Sequence, residues 1–317
     1  MKVIFFGSSS YSFPVLDSLH KSFQLVGVVT KPKGITKDFA LKNSLTYFTP
    51  KKKVELLALK EQIISLHPDI GIVSDFGLII PRDIFKIPKY QTLNIHFSKL
   101  PKLRGASPVQ FTVFTGEKSA WISIIIMDEG LDTGDIIWQK EIPISGAETA
   151  EELYQRLFII AGKNIADIIA KYTTGQLQPK NQDHSQATYT KLLTRDDGFI
   201  PWEIIKSGIK GIKPPKKDLL SWPLYKYLSN QSLITNPEFT ILIARASRAL
   251  YPWPGLWTLL AMKQFNNVTT SKIERIRLKI LKIHLVGNKL VLNTVQLEGK
   301  KPVTWKQLQE GYPDINY

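Results

Sequence analysis

The sequence contains no cysteine. That absence excludes a disulfide framework, a cysteine-ligated zinc site, an iron–sulfur cluster and a thiol nucleophile. Histidine is sparse as well, five in 317 residues, which argues against a histidine-rich metal centre. No apolar run approaches the ~20 residues of a membrane span. The opening stretch carries a short apolar run, Val3 to Phe6, but it enters a Gly/Ser turn and reads as a buried strand, not a signal peptide. These absences point to a soluble cytoplasmic protein. A dinucleotide fingerprint is also missing: Gly7-Ser8-Ser9-Ser10-Tyr11-Ser12 holds a single glycine where G-x-G-x-x-G needs three, which removes the strongest case for a nicotinamide oxidoreductase. Internal repeats and low-complexity segments are absent.

Acidic residues are outnumbered, 27 Asp+Glu against 42 Lys+Arg, and the net charge of +15 favours a polyanionic partner. The excess is uneven. Residues 31–53 hold seven Lys against Asp38, and Met262 to Lys306 holds ten Lys/Arg against Glu274 and Glu298. Two basic segments so far apart resemble a nucleic-acid footprint. Hydrophobic residues at 43% supply a core, and the length suggests about two domains at ~150 residues each.

Along the first half, short apolar runs alternate with amphipathic stretches. Strands are expected at Lys2–Phe6, Leu25–Thr30, Ile70–Phe76, Thr92–His96 and Ile122–Met127. Their Val/Ile-rich runs suit strands covered on both faces. Helices are expected at Phe13–Phe23, Val54–Leu66 and Ala150–Tyr172, the last opened by the capping pair Thr149 and Glu152 and closed at Gly175. The alternation predicts an α/β fold with a mostly parallel, doubly wound sheet, and sites in such sheets form at the carboxyl ends of strands. From 195 to 237, five prolines and few periodic runs read as a connector with an irregular insertion. Glu238–Leu250 reads as a helix. Ile276–Leu285, Lys289–Leu292 and Thr294–Leu297 read as short strands, with Gly287-Asn288 as a turn, giving a small OB-like β domain. The expected boundaries are 1–188 for a catalytic domain, 189–237 for the linker and 238–317 for the β domain.

Two segments carry chemistry. On the strand Thr92–His96, Asn94 and His96 share a face because side chains alternate with period two, and both lie at the carboxyl end. They read either as satisfied core hydrogen-bonders or as a donor and a base. The second segment, Met127 to Ile137, follows a strong strand and holds two glycines and four acids, as suits a loop that presents a carboxylate; an acidic hairpin loop is the other reading. An EF-hand is a poor fit, because its D-x-[DN]-x-[DN]-G run is absent.

The run Asn94-x-His96-x-Ser98-x-Leu100-Pro101-x-x-Arg104-Gly105-Ala106-x-Pro108-x-Gln110, followed by Met127-Asp128-x-Gly130-Leu131-Asp132-Thr133-Gly134-Asp135, resembles the folate-dependent formyltransferase family. Ile4-Phe5-Phe6-Gly7, the stretch Asp75 to Pro81, Thr188 to Leu192, Ala249 to Gly255 and Leu297 to Pro302 match more loosely. The resemblance implies a Rossmann-like catalytic domain followed by a smaller OB-like β domain. It implies 10-formyltetrahydrofolate as co-substrate, no metal, and a formyl group moved to the α-amine of methionine on initiator methionyl-tRNA by a monomer. It further implies Asn94, His96 and Asp132 as catalytic residues. Phe76, Gly77, Leu78, Ile79, Ser98, Lys99, Leu100, Pro101, Met127 and Leu131 would then bind the folate, and Lys33, Lys37 and Arg104 the tRNA.

The chain departs from the family between Lys33 and Ala40, where a shorter segment replaces a Gly-rich basic loop, and at Ser8-Ser9-Ser10, which replaces Gly-Thr-Pro. Two other functions stay open: formyl transfer to an amino-sugar nucleotide, and a non-catalytic RNA-binding module. The positive charge and the Tyr251-Pro252-Trp253-Pro254 junction weigh against the first, and the intact Asn94, His96 and Asp132 against the second.

Overall fold

The computed structural model describes residues 1–234, 238–265, 271–312 and 315, with the side chains of 262–265 and 271–274 left undescribed. Pro237 of the expected linker, and the side chains of Met262, Lys263, Lys272 and Glu274 in the basic segment, therefore lie outside the described residues. Contacts divide the chain into two compact units. The first comprises Met1–Val109, Lys118–Ile144 and Glu152–Thr190, and the second Gln110–Glu117, Ser145–Glu151 and Lys191–Tyr317.

In the first unit, the apolar runs become strands β1 (Lys2–Phe6), β2 (Gln24–Val29), β3 (Tyr47–Phe48), β4 (Ile70–Val73) and β5 (Thr92–His96). Between them run helices α1 (Phe13–Ser22), α2 (Ile35–Lys42), α3 (Lys53–Ala58), α4 (Lys60–Ser65) and α5 (Arg82–Phe85). After β5 the chain forms a two-residue strand β6 (Arg104–Gly105), helix α6 (Pro108–Thr115, of which residues 110–115 belong to the second unit), strands β7 (Ser119–Ile126) and β8 (Ile136–Pro143), helix α7 (Ala150–Thr173) and a second two-residue strand β9 (Tyr189–Thr190). The seven-stranded sheet has the order β3-β2-β1-β4-β5-β7-β8. The strands from β3 to β5 pair in parallel, whereas β7 pairs antiparallel with both β5 and β8. The nine-residue connection between β7 and β8 is too short to carry a crossover, so β8 can only fold back on β7. Val3, Ile4, Phe5 and Phe6 are all buried, as befits central strands covered on both faces. Separately, β6 pairs with β9.

The structure differs from the sequence reading in several of its helices. The stretch read as a loop at 33–40 is helical from Ile35, with Thr36 and Ala40, four apart, turned inward. The helix expected over 54–66 is two helices, because the Leu59 N–H bonds Leu56 as well as Leu57 and closes a tighter turn. The proline-rich 195–237 segment also forms helices: α8 (Trp202–Lys210), α9 (Lys216–Leu219) and α10 (Pro223–Asn230). Three of its prolines stand at helix starts, Pro201 and Pro215 as caps and Pro223 in the first turn, where a missing N–H costs nothing.

The second unit continues with helix α11 (Phe239–Ala249) and strands β10 (Leu256–Phe265), β11 (Ser271–Val286), β12 (Lys289–Leu297) and β13 (Val303–Thr304), and ends in α12 (Trp305–Gly311). Strands β10 to β13 form a four-stranded antiparallel sheet in chain order, the smaller β unit expected after the α/β unit. The two strands read at 289–297 are one strand, with a register shift in β11 beside Lys282. Among the described residues, no helix is long and apolar enough to cross a membrane.

Candidate active site

Strand β5 lies between β4 and β7, with Asn94 opposite Val73 and Ile125, and His96 opposite Ser123. The central position fixes the backbone, and the two-residue period puts both side chains on one face. His96 is buried. The chain beyond it turns back so that the Leu103 carbonyl oxygen lies 2.9 Å from His96 Nε2. That turn is tied down from several sides. Ser98 Oγ donates to the Lys102 carbonyl at 2.6 Å, Ser123 Oγ to the Ser98 carbonyl at 2.6 Å, and Gln139 Nε2 to the Leu100 carbonyl at 3.1 Å.

The loop between β7 and β8 delivers Asp132 to the same place. Its carboxylate accepts from Asn94 Nδ2 at 3.2 Å through Oδ1 and from the Gly105 N–H at 2.8 Å through Oδ2. Oδ2 also lies 3.5 Å from His96 Nδ1, and the Asp132 side chain is 12% exposed. Asp132 has a φ of +54°, a left-handed conformation that costs an L-residue about 1–2 kcal/mol. The loop is braced internally by Asp128, whose carboxylate accepts from Thr133 Oγ1 at 2.7 Å and from the Gly130 N–H at 3.2 Å. Gly134 leaves no alternative residue there, since a Cβ would fall 1.7 Å from the Ile126 carbonyl oxygen.

The residues expected around a folate differ in burial. Phe76, Leu78 and Met127 pack into one apolar cluster with Ile4, Phe6 and Ile80, and the rings of Phe6 and Phe76 meet edge to face at 5.8 Å. Gly77 takes a φ of +78°. Ile79 and Leu131 are instead exposed, at 76% and 59%. Ser98 and Leu100 are buried and Pro101 is half-buried. Lys99 faces outward, with its ammonium 4.4 Å from the centre of the Trp121 ring. Near this face, burial holds the Tyr154 phenol well above its ordinary pKa, and the charge and hydrogen bonding of Asp75 push it the same way.

Among the residues expected to meet RNA, Lys33 is exposed, while Lys37 is half-buried with Nζ 5.7 Å from the centre of the Tyr47 ring. Arg104 corrects the sequence reading. It is 1% exposed, and its guanidinium donates to Gln182 Oε1 from Nη2 at 2.7 Å and from Nε at 3.2 Å. A cation so enclosed is a framework residue and not a surface contact for phosphate. Sequence reasoning missed Gln182, which lies in a wholly polar stretch where no periodicity marks a buried position. It also missed the Gly105 N–H, whose role depends on backbone placement alone.

A family model described as formyl transferase matches residues 1–169. The methionyl-tRNA formyltransferase of Clostridium novyi is 33% identical over 71% of this chain and 75% of its own length. That of Thermodesulfovibrio yellowstonii is 32% identical over 98% of this chain and 95% of its own. Among solved structures, a methionyl-tRNA formyltransferase from Clostridium thermocellum superimposes with a TM-score of 0.54 at 20% identity, covering 94% of this chain and 98% of that one. That last likeness is one of fold.

Proposed function

Since the chain belongs to the formyl transferase family, we propose that it moves a formyl group from 10-formyltetrahydrofolate to the α-amine of methionine on initiator methionyl-tRNA. One observation carries the reading: a single carboxylate, Asp132, reaches both Asn94 and His96 at the carboxyl end of β5. The choice of acceptor is supported by relatives of that name matched over nearly their whole length and by the net charge of +15.

Acyl transfer to an amine makes a carbon–nitrogen bond and leaves an oxyanion on the former carbonyl oxygen. The bond from that carbon to the folate N10 then breaks. The amine loses a proton and N10 gains one. Asn94 spends one amide hydrogen on Asp132 and retains a second to donate to the oxyanion. Removing one such donor costs about 10²–10³-fold in turnover. In His96, Nε2 is committed to the Leu103 carbonyl, which only accepts, so Nδ1 is the nitrogen that gains and loses the working proton. Bare, Nδ1 is a base for the attacking amine. Protonated, it is a cation held beside Asp132 and a donor toward N10. The proton given up by the amine is therefore the one N10 receives.

In this reading the folate lies along residues 98–101 and 76–79, flanked by Met127 and Leu131. The exposed apolar side chains of Ile79 and Leu131 offer cover to an aromatic ring. Lys33, Lys37 and the basic strand β11 meet the tRNA backbone, with residues 1–188 as the catalytic part and 238–317 as the RNA-binding part.

The test is transfer of labelled formyl from 10-formyltetrahydrofolate to purified methionyl initiator tRNA, with amino-sugar nucleotides in parallel. Formyl-methionyl-tRNA as sole product is the expected result. Transfer only to the sugar would keep the chemistry and overturn the partner. RNA binding with no transfer at all would overturn the enzyme reading.

A further inference from the structure

The contacts that set Asp132 in place begin outside the reacting groups. Gln182 is 5% exposed, although it sits in a polar stretch of the chain. Its amide is used at both ends. Nε2 donates to the Asp132 carbonyl oxygen at 2.8 Å and to the Gly134 carbonyl oxygen at 2.7 Å. Oε1 accepts from Arg104, whose guanidinium also reaches Nδ1 of His184 at 2.9 Å and Oη of Tyr189 at 3.4 Å. Arg104 leads directly into Gly105, whose N–H donates to the Asp132 carboxylate. Strand β6 thus governs Asp132 twice: once at the carboxylate, through Gly105, and once at the backbone, through Arg104 and Gln182.

The neighbours of Gln182 grip the same loop further along. Lys180 and Ile136 exchange backbone hydrogen bonds at 2.8 and 2.9 Å, and Asn181 Nδ2 donates to Asp135 Oδ1 at 2.6 Å. Of the three, it is Gln182 that holds the residue carrying the carboxylate. Asp132 is left-handed, and such a conformation persists only where the surroundings over-determine it. A buried amide satisfied at every end by one loop and one guanidinium supplies that constraint.

We propose that Gln182 is a positioning residue for the reaction: anchored on the buried guanidinium of Arg104, it holds the backbone of Asp132 and Gly134 so that the Asp132 carboxylate meets Asn94 and His96. The proposal rests on the formyl-transfer reading above.

Two substitutions separate positioning from mere stability. Gln182→Glu keeps the acceptor for Arg104 but turns a carboxylate oxygen toward two carbonyls, so the anchor stays and the grip is lost. Gln182→Met removes both. In steady-state formyl transfer with methionyl-tRNA, each is expected to lower kcat by about 10–100-fold, the scale on which small misplacements act, with KM for either substrate shifted less than about threefold. Gln182→Glu keeps a charge-assisted pair with Arg104 that offsets part of the cost of the two carbonyls left without a donor, so its thermal midpoint is expected to fall less than that of Gln182→Met; kcat is read at a temperature where it is folded, which keeps the test decisive if Gln182→Met fails to fold. Asn181→Ala, which removes the neighbouring bond to Asp135, is expected to leave kcat within about twofold, because it does not touch Asp132. The proposal is overturned if Gln182→Glu retains kcat, if its loss appears in KM instead, or if Asn181→Ala loses as much. A parent protein that transfers no formyl group overturns both readings; an active parent with unaffected Gln182 variants overturns this one alone.

Discussion

The imidazole of His96 is pinned by Nε2 to the carbonyl oxygen of Leu103 at 2.9 Å, and only Nδ1 faces Asp132. Two substitutions distinguish the nitrogens. In His96→Gln the amide reaches the place of Nε2 and restores the bond to Leu103, but nothing replaces Nδ1. In His96→Ala both are gone. Turnover is expected to fall by about 10²–10⁴-fold in both, because the nitrogen proposed to carry the proton is lost in both. Urea unfolding is expected to show the Gln variant as the more stable of the two. If single-turnover transfer by His96→Gln matched the parent, Nδ1 would not be the working nitrogen.

Tyr154 sets a limit at alkaline pH. Burial pushes its phenol well above the ordinary value, and Asp75 adds to the shift. The folded state therefore favours the neutral phenol. The stabilisation is whole below the unfolded pKa of about 10 and is lost as pH rises from there toward the raised folded value. Stability in urea is expected to fall above about pH 10, and Tyr154→Phe to flatten that fall. Tyr172 and Tyr227, both raised chiefly by burial, leave a residual slope. At pH 8 the Phe variant is expected to be less stable by about 1 kcal/mol, the worth of the lost hydrogen bond, since its ring retains the contacts with Phe97 and Phe158. An undiminished alkaline fall in the variant would locate the titrating group elsewhere.

Gly162 lies in the middle of α7, where alanine is ordinarily better by about 1 kcal/mol. Here a Cβ would stand 2.5 Å from the carbonyl oxygen and 2.7 Å from the carbonyl carbon of Pro14 at the start of α1. The obstacle is backbone and cannot swing aside, and overpacking of this kind costs about 1–3 kcal/mol. The steric term exceeds the propensity term, so Gly162→Ala is expected to lower the urea midpoint. A raised midpoint would mean that the two helices separate at little cost.

Where the sequence is periodic, the fold was legible in it. Strand β5 was read at both ends because apolar residues alternate with Asn94 and His96, and α7 because it carries its own start and stop signals. Helix α2 was not, since its inward face is only Thr36 and Ala40 and charged residues occupy much of the rest. Strand β8 was missed because Lys140 and Glu141 are exposed and break its apolar run. Asn94, His96 and Asp132 could be named from motif alone, and the structure brings them within reach of one another. The framework behind them could not. Arg104 and Gln182 are 78 positions apart, and neither residue type in its local context announces burial.

That framework gives Arg104 and Lys33 opposite signatures, although both are cations in segments first read as RNA contacts. Each phosphate neutralised by a protein cation on a single strand or duplex releases counterions and adds about 0.7–0.9 to the slope of log affinity against log salt. Lys33→Ala is therefore expected to weaken tRNA binding at low salt and reduce the slope by up to that amount. Lys37, with its ammonium held near the Tyr47 ring, is expected to contribute less. Arg104→Met is expected to leave the slope unchanged while destabilising the fold by about 2 kcal/mol or more, because Gln182 Oε1 is left buried without its donors. Fluorescence anisotropy of labelled tRNA across a salt series, at a temperature where every variant is folded, measures all three. An Arg104→Met slope reduced as far as that of Lys33→Ala would mean that binding opens the guanidinium to a phosphate, and the division between framework and contact drawn from burial would be wrong.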